Sequence, residues 1–279
     1  MIGALAAIPS RRKRRPVALA PCGGDRLAGG ETVVWVTRCV SEHVHRVGFT
    51  YLAADELERA MSYRSQGERE KFLAGRSLLR VALSNVVESI APDEWRFEAL
   101  PGGKLALAQG SPSFSISVSH AGALAAVAVS SGPSVGIDLE PLASAPLVPP
   151  IWGAGAGRYA SDEPFLDNSE EAVTSWTLQE AMAKYTGSGL PLHPYQLRPL
   201  NSDLQAGECL GRTLRVWSGS VPYLMSVVTG GAGEDRLAWR AIDLAKLSPH
   251  ANIRSGSAGS VAISIEPGER TYAVDLAPE

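Results

Sequence analysis

The feature that most constrains the fold is a short apolar run that leads into a charged strand. Residues 123–130 have the sequence ALAAVAVS, and Ser131, Gly132 and Pro133 then turn the chain into VGIDLE, residues 135–140. An apolar run of this length, bounded by turn residues, indicates a buried strand. We therefore expect two consecutive strands in the middle of the chain, the second of which carries two carboxylates.

The two carboxylates of VGIDLE lie on one face of the predicted strand. Side chains two residues apart in a strand share a face, so Asp138 and Glu140 point one way while Ile137 and Leu139 point into a core. Two carboxylates about 4 Å apart repel by about 4 kcal/mol at a surface-like dielectric constant. Solvent at a strand end relieves this repulsion, and so does a bound cation, and the spacing alone permits both interpretations.

A second charged pair lies on a predicted helix over residues 170–186, which ends at Gly187 and Gly189. Glu180 and Lys184 are four residues apart and share a helix face. An ordinary surface ion pair accounts for this spacing. In the alternative, Glu180 joins the strand carboxylates in binding Mg²⁺, which takes few carboxylates plus substrate phosphates, and Lys184 faces a phosphate.

Six residues in the first half of the chain are candidate ligands for phosphate. They are Lys71, Arg76, Arg80, Lys104, Ser119 and His120. Arg76 and Arg80 share one face of a predicted helix, and Lys104 follows a Gly-Gly turn. Taken singly, each basic residue is typical of an ordinary exposed surface. A single histidine is more often structural than functional. Together with a metal site they suit a small molecule that carries several negative charges.

The remaining patterns predict an α+β protein whose two halves roughly repeat one another in element order, without a clear repeat of residues. Helices are expected over 55–63, 68–87 and 170–186, strands over 32–36, 114–119, 123–130, 135–140, 213–217, 223–229 and 237–242, and hairpins over 95–107 and 261–276. Each half has strands, helical segments and then strands again, which is typical of the α+β class.

Four segments follow from these elements. Residues 1–30 form a basic leader expected to be disordered, 31–134 the first half, 135–250 the second half with the metal site, and 251–279 a C-terminal hairpin or tail. Residues 141–170 are rich in Ala, Pro and Gly and are expected to be an irregular connection.

Composition argues against several classes of function. The net charge of −3 and pI of about 6.0 give no overall field that favours nucleic acid, and no apolar run reaches the length of a membrane span. We therefore expect neither a nucleic-acid partner nor membrane contact. The three cysteines are widely spaced and predict neither a zinc site nor a disulfide framework. Free cysteines are typical of a reducing compartment, so we expect the protein to be cytoplasmic.

Six ordered segments resemble a known family, the 4'-phosphopantetheinyl transferases of the surfactin-synthetase-activating type. The segments are YLAADELERAMSYR, EREKFLAGRSLLR, GGKLAL, ISVSHAG, VGIDLE and SWTLQEAMAKYTGSGL. Each segment alone is weak evidence for the family. The order of all six segments, and the spacing between GID-x-E and W-x-x-x-E-x-x-x-K, make the resemblance specific. The resemblance covers residues 35–244. It implies a pseudo-twofold fold, with coenzyme A in the cleft between two similar α+β halves, and a monomer.

The resemblance also implies a reaction, in which the phosphopantetheine arm of coenzyme A moves to a serine of an apo acyl or peptidyl carrier protein. Adenosine 3',5'-bisphosphate is released. By resemblance, Asp138, Glu140 and Glu180 hold Mg²⁺, Glu180 is also the general base, and Lys184 stabilises charge on the pyrophosphate. The resemblance further implies that Arg76, Lys104, Ser119 and His120 bind the phosphates and nucleotide, with Arg80 and Lys71 as weaker candidates.

The chain departs from the family pattern at three places. Gln179 stands where a lysine usually precedes the helix glutamate, Ser117 stands where an asparagine is common, and residues 141–160 replace a further helix with a Pro/Gly-rich segment. The missing charge at Gln179 is expected to weaken cofactor or carrier binding. Two alternatives follow: a catalytically weakened relative that binds coenzyme A or a carrier, and a metal-dependent nuclease. The acidic pI argues against the nuclease.

Overall fold

The described part of the chain contains four α-helices, one 3-10 helix and twelve strands. The computed structural model describes Leu27 and residues 31–39, 41–108, 114–132, 134–148, 168–191, 195–200, 208–230, 236–241, 263–265 and 270–275. The elements in chain order are β1 (Glu31–Arg38), α1 (Ser41–Tyr51), α2 (Ala54–Ser62), α3 (Gln66–Val86), β2 (Phe97–Ala99), β3 (Leu105–Leu107), β4 (Ser115–Ala121), β5 (Leu124–Ser130), β6 (Val135–Pro141), the 3-10 helix (Leu142–Leu147), α4 (Asn168–Thr186), β7 (Leu197–Pro199), β8 (Glu208–Ser218), β9 (Val221–Thr229), β10 (Arg236–Ala241), β11 (Ile263–Ile265) and β12 (Arg270–Asp275).

The strands form two larger sheets and one small one. The first sheet has the order β10-β1-β5-β4, and the second has the order β6-β9-β8-β12-β7, with β11 also paired to β8. Strands β2 and β3 form a separate antiparallel pair. All described pairings are antiparallel except that of β1 with β10. Mixed helices and mainly antiparallel sheets confirm the predicted α+β class.

The two larger sheets repeat one connectivity. In the first sheet, β1 pairs with β5 and β5 with β4, and α3 lies between β1 and β4 in the chain. In the second sheet, β6 pairs with β9 and β9 with β8, and α4 lies between β6 and β8 in the chain. Each unit is therefore a strand, a helix and a hairpin whose last strand returns beside the first.

Apolar side chains form four clusters in the described part of the chain. The two largest lie between α3 and the first sheet and between the two sheets, a third lies under α4, and a fourth packs α1 and α2 against α3. Ile137 and Leu139 are fully buried in the cluster between the sheets, which confirms that they face the core. The alternation of VGIDLE therefore turns Gly136, Asp138 and Glu140 toward α4.

Most predicted elements are present with shifted ends. Helix α3 begins two residues before the predicted residue 68, because Ser65 caps it through a hydrogen bond from the Glu68 amide to the Ser65 Oγ at 3.4 Å. Helix α4 ends before Gly187, whose φ of 74° is the left-handed conformation that favours glycine. The pattern did not predict α1 or β7.

The predicted C-terminal hairpin over 261–276 is wrong. Strands β11 and β12 do not pair with each other; β11 pairs with residues 216–218 of β8, and β12 pairs with residues 208–213 of the same strand. At 11 residues, β8 is long enough to offer one edge to both segments in turn. Strand β10, expected within the second half, instead adds to the first sheet beside β1.

Two predicted segments lie largely outside the described residues. Of the predicted basic leader only Leu27 is described, and its side chain packs against the cluster under α3. In the predicted irregular connection, residues 142–147 form the 3-10 helix and residues 149–167 lie outside the described part.

Candidate functional site

A cleft of about 310 Å³ lies between α3, β4 and the C-terminal half of α4. Five of the predicted site residues line it, although they come from four separate parts of the chain. They are Arg76, Lys104, His120, Glu180 and Lys184. The remaining predicted residues, Lys71, Arg80, Ser119, Asp138 and Glu140, do not line the cleft itself.

Gly136 positions α4 against the strand that carries the carboxylates. A Cβ atom at residue 136 would lie 1.9 Å from the Ala181 carbonyl oxygen and 2.6 Å from the Tyr185 amide nitrogen. Only glycine therefore permits this backbone-to-backbone contact. Ala181 and Tyr185 are each one residue beyond Glu180 and Lys184, so the contact brings both charged side chains of α4 next to β6.

Asp138, Lys184 and Ser119 form a compact polar group beside the cleft. The Lys184 ammonium donates to Asp138 Oδ1 at 2.7 Å and to Ser119 Oγ at 3.1 Å, and Ser119 donates to the same carboxylate oxygen at 2.8 Å. Asp138 is 4% exposed. The structure therefore joins Ser119 to the site through Asp138 and not through the cleft surface.

Burial and mutual repulsion perturb two of the carboxylates. Burial, and then the charge of Asp138, raise the pKa of Glu180, while Lys184 opposes the rise. Burial and Asp138 likewise raise the pKa of Glu140, which accepts hydrogen bonds from Ser144 at 3.3 Å and from Trp176. Both carboxylates thus lie close enough to Asp138 to interact electrostatically.

The donor set fits a hard divalent cation that is completed by substrate. Asp138 Oδ2 is buried and has no hydrogen-bond partner, although an ionised carboxylate oxygen inside a protein needs one. Among the described residues, no three His, Cys, Asp or Glu side chains converge closely enough to hold a metal unaided. Mg²⁺ does not require three, because it is commonly held by one or two carboxylates together with phosphates and water.

Lys104 connects the β2–β3 turn to the end of α4. Its ammonium donates to Ser134 Oγ at 2.5 Å and to the Tyr185 carbonyl at 2.6 Å. Both acceptors are neutral, and burial lowers the pKa of Lys104. In the preceding turn, Gly102 has a φ of 85° and leaves no room for a Cβ against the Gly187 carbonyl. An anionic ligand in the cleft would give this lysine a charged partner.

Arginine and aromatic side chains form the wall of the cleft that faces Lys104 and the end of α4. The guanidinium groups of Arg59 and Arg76 lie 5.5 Å and 5.4 Å from the centre of the Phe72 ring, on which both stack as cations. Burial lowers the pKa of Arg76, and its Nη1 is buried without a hydrogen-bond partner. Its ion pair with Glu56 is long, at 3.8 Å. Arg76 therefore retains donor capacity for a ligand.

His120 lies on the floor of the cleft at the end of β4. Burial is the main cause that lowers its pKa, with the charges of Lys71 and Lys184 adding to the effect. The imidazole is therefore neutral near pH 7 and can donate one hydrogen bond and accept another. Helix α3 comes close at Gly75, where a Cβ would lie 3.1 Å from the Val118 side chain.

Two predicted ligands have structural partners instead. Arg80 is 1% exposed, forms an ion pair with Glu56 and donates to the carbonyls of Pro92 and Trp95 at 2.9 Å. These contacts tie α3 to α2 and to the loop before β2. Lys71 forms an ion pair with Glu68 on the surface of α3.

The sequence patterns assigned no role to three residues that shape this region, namely Gly136, Arg59 and Trp176, although Gly136 and Trp176 belong to the GID-x-E and W-x-x-x-E-x-x-x-K motifs. Trp176 precedes Glu180 by four residues and therefore shares its helix face, a spacing that could have pointed to it. Arg59 lies within one of the family-like segments, where nothing in the local pattern sets it apart from Arg64. The requirement for Gly136 depends on a contact between distant segments and has no local signal.

No protein-family model matches this sequence, and a search of the curated proteins finds no match. Within the described residues, the helices are all too short or too polar to cross a membrane.

Proposed function

We propose that the protein transfers the 4'-phosphopantetheine arm of coenzyme A to a serine hydroxyl of an apo carrier protein, with Mg²⁺ as cofactor. The observation that carries the proposal is the convergence of separate sequence segments on one cleft. Arg76, Lys104, His120, Glu180 and Lys184 are spread over more than one hundred residues, yet all five line it. Three carboxylates and three cations suit a polyanionic substrate bound through a divalent ion.

The repeated connectivity of the two sheets supports the pseudo-twofold fold that the resemblance implies. Each unit of strand, helix and returning hairpin supplies one side of the cleft, since α3 and β4 belong to the first unit and α4 to the second. A cleft between two such units is where the resemblance expects coenzyme A.

By the resemblance, Asp138, Glu140 and Glu180 would hold the Mg²⁺ together with pyrophosphate oxygens of coenzyme A and water, since the three carboxylates do not converge closely enough to hold it unaided. The ion would neutralise charge on the pyrophosphate. Glu180 also lines the cleft, where a carboxylate can act as a general base. Glu180 would take the proton of the carrier serine as its oxygen attacks the phosphorus of the pantetheine-linked phosphate. The bond from that phosphorus to the bridging oxygen then breaks, and adenosine 3',5'-bisphosphate leaves.

Lys184 is well placed to balance charge during this step. In the structure it is bound to Asp138, and its side chain also lines the cleft. A mobile ammonium between a carboxylate and a phosphate site can follow the negative charge that moves onto the leaving group. Phosphoryl transfer depends mainly on such positioning and charge neutralisation.

The test is to incubate the protein with Mg²⁺, coenzyme A and several apo carrier proteins, and to measure carrier mass. A gain equal to the phosphopantetheine arm is expected, and it should disappear in Glu180→Gln. Glu171→Gln is the matched control, because it changes a half-buried glutamate of the same helix that does not line the cleft. Binding of coenzyme A without any mass gain would instead identify a catalytically weakened relative, and cleavage of plasmid or RNA a nuclease.

A further inference from the structure

Gln179 makes a two-point contact that the family-like pattern does not predict. Its side chain is fully buried and does not line the cleft. Its Nε2 donates to the Tyr195 carbonyl at 2.8 Å, and its Oε1 accepts from the Tyr195 amide at 2.7 Å. A primary amide is suited to this contact because one end of the side chain both donates and accepts.

Tyr195 lies beyond the segment that forms one wall of the cleft. After α4 ends, Gly187, Gly189 and Leu190 line the cleft, and the chain then reaches Tyr195. At the near end, this wall is held by the contact of the Gly102 turn with the Gly187 carbonyl. At the far end, Tyr195 packs in the apolar cluster under α4, and its backbone is fixed by the Gln179 contact, with a longer hydroxyl contact of 3.5 Å between Thr186 and Tyr195.

We propose that Gln179 is a positioning residue that holds the 187–190 wall and thereby sets the affinity of the cleft for coenzyme A. The identity of the ligand rests on the proposed function, but the contact with Tyr195 does not. A lysine at this position, the residue usual in the family, has three donors and no acceptor. It would leave the Tyr195 amide unpaired and bury a charge, so in this chain the family residue is expected to weaken binding.

The primary test compares Gln179→Met and Gln179→Lys with the wild type. Gln179→Met keeps the approximate volume and removes both hydrogen bonds. We expect the Tyr195 amide to exchange its hydrogen about tenfold faster or more. We expect KM for coenzyme A to rise about tenfold or more with kcat within about twofold, since each of the two lost hydrogen bonds is worth about two- to tenfold. Gln179→Lys is expected to raise KM at least as much.

Thr177→Val is the matched control. Thr177 is also fully buried on α4, where it shares a hydrogen bond of 2.7 Å with Ser226 under the helix and away from the wall. This variant should lose stability and leave both KM and Tyr195 exchange unchanged. A structural defect of α4 in general would instead move KM in both variants.

The inference is overturned if Gln179→Met accelerates exchange at Tyr195 but binds coenzyme A like wild type, or if the exchange does not change. If the wild-type protein binds no coenzyme A, the proposed function is wrong, and so is the role of Gln179 in coenzyme A affinity. Hydrogen exchange at the Tyr195 amide still tests whether Gln179 holds Tyr195.

Discussion

Gly136→Ala tests whether the site depends on the close approach of α4 to β6. The added Cβ would lie 1.9 Å from the Ala181 carbonyl oxygen, whereas ordinary contact begins near 3.4 Å. The helix backbone must therefore recede by about 1.5 Å, the difference between these distances, because neither partner atom belongs to a flexible side chain. Overpacking of this kind typically costs about 1–3 kcal/mol, and we expect the upper end because the obstacle is backbone.

The consequence for the site follows from the same displacement. Glu180 and Lys184 move with the helix, and a misplacement of about 1 Å can reduce catalysis about 100-fold. We therefore expect Gly136→Ala to lower the free energy of unfolding by about 3 kcal/mol. We also expect it to reduce the rate of transfer at least about 100-fold.

Urea unfolding and the carrier mass assay measure the two effects of Gly136→Ala. Gly67→Ala is the matched control, since the same methyl group at the start of α3 would meet only the Ser65 hydroxyl, at 3.7 Å. That control should be neutral or slightly stabilising, because alanine is favoured over glycine in helices. A Gly136→Ala protein with unchanged stability would refute the packing argument. Normal stability together with lost transfer would show that the strand position matters for another reason.

Three further substitutions separate functional from structural roles. Glu180→Gln should abolish transfer yet raise the melting temperature at pH 7.5, because burial and Asp138 raise the pKa of Glu180 and make its ionised form unfavourable in the folded state. That gain in stability should vanish as the pH falls below the ordinary glutamate value of 4.5, and a variant less stable than wild type at pH 7.5 would contradict it. Lys104→Ala should raise KM for coenzyme A with kcat little changed, and an unchanged KM would remove it from the site. Arg80→Met should cost about 3–5 kcal/mol, because it leaves Glu56 buried without its close partner, and should leave KM unchanged in whatever protein folds.

The local patterns predicted most of the helices and strands, apart from α1 and β7, but not how distant elements meet. The alternation of VGIDLE was enough to assign Ile137 and Leu139 to the core, since a strand leaves only two faces to choose from. Local pattern did not reveal that β10 pairs with β1 or that β8 accepts both β11 and β12, because backbone hydrogen bonds along a strand edge carry no side-chain signature.

The candidate site was predictable in its charges and less so in its geometry. Glu180 and Lys184 could be placed on one helix face from their spacing, but their approach to Asp138 depends on Gly136, whose role is invisible without the partner helix. Arg80 shows the converse limit. It shares a face with Arg76, yet one turn further along α3 the face passes under the loop before β2, where carbonyl groups satisfy the guanidinium.

Helix α4 combines two requirements that conflict in an ordinary amphipathic helix. One face must carry Trp176, Glu180 and Lys184 toward the carboxylates, so it cannot supply apolar anchorage there. Leu178 and Met182 supply apolar anchorage on the far side of the helix, and buried polar contacts flank the charged face: Thr177 bonds to Ser226, and Gln179 holds Tyr195. Hydrogen bonds fix the rotation of a helix more specifically than apolar contacts, which tolerate sliding. A helix that must hold charged groups to within about 0.5 Å is therefore better anchored when such directional contacts supplement its apolar packing, as the contacts of Thr177 and Gln179 do beside Glu180 and Lys184.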